Sequence, residues 1–167
     1  MDIIIREIKK EDKEAINDLF EKLLSNHGCN YGIGYGYPDY IYNEIFGKKQ
    51  LYNAFVASLV NKSREKIKTV GYIMLELNKR DRHSFIQGLF IEEDYRKQGI
   101  AKRLVNEAER YSKGLGFNSI TAEARQDVFT DFYRNLGYSI KSRKNAATYW
   151  IFKVLERERK QDDELEL

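Results

Sequence analysis

The chain has 167 residues, 42% of them hydrophobic, which suits one domain able to bury a real core. Its net charge of +3, with charged residues at 33% and no long basic stripe, argues against a nucleic-acid footprint. The one cysteine, Cys29, excludes an internal disulfide, and His27 and His83 stand apart as surface or structural histidines, so no metal cluster is expected.

The start, MDIIIREIKKEDKE, is charged from its first residues and has no apolar run of signal-peptide length. No later run is long enough to span a membrane, so the expectation is a soluble cytoplasmic protein. DIIIREI is a β-branched run and predicts a first strand. KKEDKEAINDLFEKLLS then spaces Ile16, Leu19, Phe20, Leu23 and Leu24 along one helical face. Residues 27–49 read as a loop in which glycine alternates with tyrosine, with a short helix opening near Pro38 or Asp39.

LYNAFVASLV, TVGYIMLELN and RHSFIQGLFI predict three consecutive strands, an antiparallel meander whose first connection is the charged NKSREKIK. A helix is predicted over 98–115, with Ile100, Ala101, Leu104, Val105 and Ala108 on its apolar face and Gly114 and Gly116 near its end. NSITAEA is a strand, DVFTDFYRNLGY a short amphipathic helix ended by Gly137, and YSIKSR and ATYWIFKVL two last strands. The fold class is α/β: a mixed, mostly antiparallel sheet of six to seven strands flanked by helices. One domain is expected over residues 1–156. The charged stretch 157–167 has little to bury and reads as an extension or a disordered end.

The chemistry concentrates where the third meander strand turns into the helix, at IEEDYRKQGIAKRLV. The first N–H groups of a helix have no partner within it, and the macrodipole adds positive potential there. Gly99 lets an anion approach the backbone, and Arg96 and Lys97 add charge, a combination that suits a pyrophosphate. The same residues also read as an exposed basic turn, and the residues alone leave both readings open. No P-loop is present, and GIGYG at 32–36 does not follow a convincing strand, so neither nucleotide-binding fingerprint applies.

Two motifs in order decide between them. Arg96-Lys97-Gln98-Gly99-Ile100-Ala101 matches R/Q-x-x-G-x-G/A, and DFYRNLGY at 131–138 carries a phenylalanine-tyrosine pair followed by leucine-glycine-aromatic. In both, and in its order of elements over about residues 2–155, the chain resembles the GNAT superfamily of acyl-CoA N-acyltransferases. The resemblance implies an acetyl-CoA-dependent N-acetyltransferase. The main chain of Gln98, Gly99, Ile100 and Ala101 would bind the CoA pyrophosphate with Arg96 and Lys97 nearby. Leu89, Phe90 and Ile91 would pair with the pantetheine arm as an added strand. Tyr133 would be the general acid that protonates the departing thiolate; Phe132 reads as core. Where the family often has an asparagine contacting the cofactor, seven residues before that tyrosine, this chain has Gln126. Where many relatives carry a fourth-strand glutamate, it has Phe85. Glu76 and Glu123 are then the candidate bases, Gln87 is a polar neighbour for substrate, and Glu92 and Glu93 read as a solvated acidic turn.

The segment carrying Tyr31, Tyr35 and Tyr37 corresponds to the region that covers the acceptor site in relatives, and tyrosines there suit an amine. The expected partners are acetyl-CoA and an amine acceptor, with no metal, nucleic acid or membrane. A small-molecule amine is the first choice, a peptide or protein amine the second, and a non-catalytic acyl-CoA-binding module the rival outside the enzyme class. Monomer and homodimer stay open, since a sheet of this kind has exposed edges.

Overall fold

The computed structural model describes residues 1–27, 42–47 and 50–155, with the backbone alone at 23–27 and 129. Tyr31, Tyr35, Tyr37 and Cys29, together with the end of the chain from residue 156, lie outside them. Seven strands form one sheet: β1 (Asp2–Glu7), β2 (Tyr52–Val60), β3 (Lys66–Asn78), β4 (His83–Ile91), β5 (Ser119–Arg125), β6 (Ser139–Arg143) and β7 (Thr148–Val154). Their order is β1-β2-β3-β4-β5-β7-β6. Every pair is antiparallel except β4 with β5. Helix α1 (Lys13–His27) lies on one face and α2 (Ile100–Gly114) on the other.

The strand alternation feeds two cores. On β3, Ile73, Leu75 and Leu77 pack with Leu104, Val105 and Ala108 of α2. Tyr72 and Met74 pack with Ile16 and Leu19 of α1. Central strands covered on both faces read as nearly continuous hydrophobic runs, and β2 and β3 do. Predicted α2 loses its first two residues because Gly99 adopts φ 75°, so the helix starts at Ile100. Its buried side also holds Glu109 and Ser112, which the apolar pattern left out. The predicted final helix is instead three unlike turns, Gln126–Val128, π-helical Phe129–Tyr133 and 3-10 Arg134–Leu136, together α3.

Two irregularities position the site. The register of β4 against β3 passes from Met74↔Gly88 to Leu75↔Ile86, which leaves Gln87 as a bulge. The bulge switches the alternation: Ile86 and Ile91 both belong to the α2-side core although one is even and the other odd. Close by, β4 and β5 part company. Their parallel pairing runs only from His83↔Ser119 to Ile86↔Ala122, while β4 continues with β3 to Ile91 and β5 continues with β7 to Arg125. Among the described residues, β4 has no strand partner on that side beyond Ile86.

Before α1, the fully buried Asp12 carboxylate accepts both guanidinium nitrogens of Arg6 at 2.7 and 2.8 Å, Lys66 Nζ at 2.7 Å and the Lys9 N–H at 2.9 Å. Burial acts to raise this carboxyl, but the hydrogen bonds from Arg6, Lys66 and Lys9 outweigh it and hold it far below the usual carboxylate range. A depressed folded-state pKa adds stability above the unfolded value and loses it as pH falls below that value. Asp12→Asn is therefore expected to cost about 3 kcal/mol at pH 7, as for a buried ion cluster losing one partner. In urea melts, the gap to the parent protein should shrink once pH drops below about 4, the ordinary aspartate range.

Candidate active site

A cavity of about 570 Å³ opens where β4 and β5 separate. Leu89, Phe90 and Ile91 form its strand wall, and Val128, Phe132 and Leu136 of α3 stand opposite. At its end are Arg96, Lys97 and Gly99 with the first turn of α2, Ile100, Ala101 and Lys102. The first N–H groups of that turn lack intrahelical acceptors. The apolar walls, the unpaired strand and the cationic helix terminus fit an extended amide arm that ends in a pyrophosphate.

The turn into α2 is wound tightly. Glu92 N–H donates to Val70 O at 2.9 Å, and a 3-10 turn spans Glu93–Tyr95. Arg96 Nε reaches back to Ile91 O at 3.0 Å, with its guanidinium 5.8 Å from the Phe90 ring centroid. Lys97 at φ 59° and Gly99 at φ 75° both adopt the left-handed region, where only glycine sits without cost. A Cβ built on Gly99 meets no atom within 4 Å, so open space faces it. The expectation that Glu92 belongs to a solvated turn needs correction. Its side chain is 12% exposed and pairs with Lys22 of α1 at 2.6 Å and Lys68 of β3 at 2.5 Å. It ties the start of this turn to two other elements.

A second cavity, about 680 Å³, lies on the opposite side of β4. Leu75, Leu77, Ala122 and Ala124 pack toward α2, so the alternating Glu76 and Glu123 project from the other face. Both acids line this cavity, with Gln87, His83, Phe85, Thr121, Lys141 and Trp150. Gln87 Nε2 donates to Glu76, and Lys144 pairs with Glu123 at 2.5 Å. Phe85 and Trp150 meet at 5.6 Å between ring centroids. His83 lies between Ser119 Oγ at 3.0 Å and Thr121 Oγ1 at 2.9 Å. Burial, then the charge of Lys141, pushes its imidazole down, so it stays neutral at pH 7. Along β4, Gln87 lines the second cavity and Leu89 the first. Gly88 is the strand residue between them.

The structure thus gathers Leu89, Phe90, Ile91, Arg96, Lys97, Gly99, Ile100 and Ala101 around one cavity, and Glu76, Gln87 and Glu123 around the other. Gln98 does not line the first; its side chain donates to Asp94 O at 3.3 Å. Gln126 is exposed and also outside it. Tyr133 is 4% exposed and lines neither, whereas Phe132, expected in the core, forms part of the wall. The Tyr133 ring packs edge-on against Phe132 at 4.9 Å and Tyr138 at 5.1 Å, one ring behind the wall. Burial alone pushes its phenol well above the ordinary tyrosine value. Only the sheet order brings Trp150 of β7 beside His83 and Phe85 of β4, and no motif joins these residues.

Known proteins share this architecture. A PaiA N-acetyltransferase from Thermoplasma acidophilum, solved with coenzyme A, superposes with TM-score 0.66 at 20% identity, covering 92% of this chain and 99% of its own. A spermidine N-acetyltransferase from Vibrio cholerae, solved with CoA and spermine, gives 0.67 at 17%, covering 92% and 95%. The aminoglycoside 6'-N-acetyltransferase of Enterococcus faecium gives 0.67 at 19%, covering 93% and 98%. At these identities the likeness shows the fold. No curated sequence matches the chain significantly. The model of the acetyltransferase (GNAT) family matches residues 16–138, most of the chain and both of the motifs around the first cavity. The chain belongs to the acetyltransferase (GNAT) family and is an acyltransferase.

Proposed function

We propose that this enzyme transfers an acetyl group from acetyl-CoA to the primary amine of a small molecule, by direct attack in a ternary complex. The observation that carries this reading is the length of β4 beyond Ile86 that, among the described residues, has no partner on its β5 side and runs from the α2 N-terminus toward Gly88 with a cavity on either side. The pantetheine arm adds to Leu89, Phe90 and Ile91, and the pyrophosphate sits on the N–H groups of Gly99, Ile100 and Ala101 beside Arg96 and Lys97. Gln98 and Gln126 serve as outer contacts of the cofactor. The thioester then lies near Gly88 and meets an amine held in the second cavity. Tyr31, Tyr35 and Tyr37, which lie outside the described residues, are proposed as acceptor contacts on the resemblance to the family. The spermidine and aminoglycoside specificities of two neighbours are in keeping with a small amine.

The acceptor's ammonium first loses a proton through water to Glu76 or Glu123, the freed lone pair attacks the thioester carbonyl, and a second amine proton passes to solvent water as the amide forms. Collapse breaks the carbon–sulfur bond. The departing thiolate, desolvated and so raised above the free-thiol pKa of about 8.5, takes a proton from Tyr133. The products are an N-acetyl amide and CoA. Thiol release should appear with a panel of small amines, and velocities varied in both substrates should give intersecting lines. Parallel lines would mean an acyl-enzyme and overturn direct attack. Release with a peptide N-terminus alone would move the acceptor to the peptide class.

A further inference from the structure

The charges around the second cavity restrict the amine it can take. Glu123 is already neutralised by Lys144, whose Nζ also lies 5.1 Å from the Trp150 ring centroid. Lys141 lines the same cavity as a further cation, and His83 is kept neutral. Among the described residues, Glu76 is the lining carboxylate held only by a neutral amide, that of Gln87. The cavity therefore offers one anionic anchor. A second ammonium on the same ligand meets Lys141 or competes with Lys144, and like charges brought together in a cleft cost affinity.

Two aromatic side chains of the wall, Phe85 and Trp150, stand beside the anchor, among the neutral polar groups of Asn78, Thr121 and Ser142. Glu76 and Phe85 are direct partners across β3 and β4, as Glu123 and Trp150 are across β5 and β7. Side chains of directly opposed residues are neighbours on one face. Phe85 and Trp150 then touch across the sheet, with ring planes tilted by 48°. This gives one carboxylate next to a two-ring platform, a surface suited to an apolar body carrying a single ammonium.

Resting on the acyl-transfer reading above, we propose that the acceptor is a monoamine with an aromatic or alkyl body, and that polycationic amines are discriminated against by Lys141. Glu76 binds the ammonium and Phe85 and Trp150 hold the body. This sets the chain apart from the acceptors named for its spermidine and aminoglycoside neighbours.

The test compares kcat/KM for phenethylamine, spermidine and tobramycin at saturating acetyl-CoA, followed by thiol release. Phenethylamine is expected to exceed both polycations by at least about tenfold, the equivalent of 1.4 kcal/mol. Lys141 is exposed on β6, so Lys141→Glu should fold normally. It is expected to raise kcat/KM for spermidine about tenfold and to leave the KM for acetyl-CoA unchanged. Trp150→Leu should raise the KM for phenethylamine and leave that for spermidine in place. A parent enzyme that prefers spermidine or tobramycin would overturn the proposal. So would a Lys141→Glu variant with unaltered preference. Absence of thiol release with every amine would instead overturn the acyl-transfer reading itself, a result distinct from release with the wrong amine.

Discussion

Tyr133→Phe is expected to lower kcat by about 10²–10⁴-fold, the usual worth of a positioned general acid, and to leave acetyl-CoA binding intact. The substitution removes one oxygen and keeps the ring between Phe132 and Tyr138, so the melting temperature should hold. Burial holds the phenol neutral far above pH 7, which suits a group that must arrive protonated. The same burial makes it a reluctant donor to an ordinary thiolate. Donation becomes favourable only where the departing sulfur is itself desolvated and its pKa raised alongside. Two readouts follow. kcat should show no fall from phenol ionisation between pH 7 and 10, because the folded phenol titrates above that window. The thermal shift with acetyl-CoA should be the same in variant and parent. If turnover survives the substitution, Tyr133 is a core aromatic and solvent protonates the thiolate.

The position of Tyr133 also shows where sequence reading reaches its limit. The motif located the residue but assumed a regular helix around it. The segment is instead a π turn between an α turn and a 3-10 turn, and such changes of winding rotate which side chain faces outward. Phe132 consequently takes the wall, and Tyr133 the core. Glu92 is a similar case. Its neighbours in sequence are Glu93 and Asp94, which suggests a wet acidic turn. Its partners are Lys22 and Lys68, brought from α1 and β3 by the fold.

The first cavity was legible because its parts are contiguous. Strand, turn and helix N-terminus follow one another from Leu89 to Ala101, so local spacing carries the geometry. The second cavity is assembled from five strands: Glu76 on β3, Phe85 on β4, Glu123 on β5, Lys141 on β6 and Trp150 on β7. No local pattern links these residues. Glu76 and Glu123 could be named as candidate bases, but neither their common face, the aromatic pair nor the competing lysines could be placed before the sheet order was known. The Gln87 bulge had no signal in the sequence either, since β4 reads as an unbroken strand.

The cofactor assignment meets its sharpest test at Gly99, where two substitutions separate backbone strain from charge. Gly99→Ala keeps the space open, since a Cβ there meets nothing within 4 Å, but it holds an L-residue at φ 75°. That strain costs of order 1–3 kcal/mol of stability. Acetyl-CoA should still bind, more weakly, because the added methyl stands where the pyrophosphate approaches the main chain. Gly99→Glu carries the same strain and places a carboxylate at the helix N-terminus, against the pyrophosphate itself. In the parent protein, acetyl-CoA at about 100 times its Kd adds ~2.7 kcal/mol, a rise of several degrees in Tm for a chain of this size. ATP and NAD at equal concentration should give none. The expected order of shift is parent, then Gly99→Ala, with Gly99→Glu at zero. An equal shift in all three would place acetyl-CoA away from the α2 N-terminus, because strain common to both variants cannot restore an anion site that a fixed negative charge occupies.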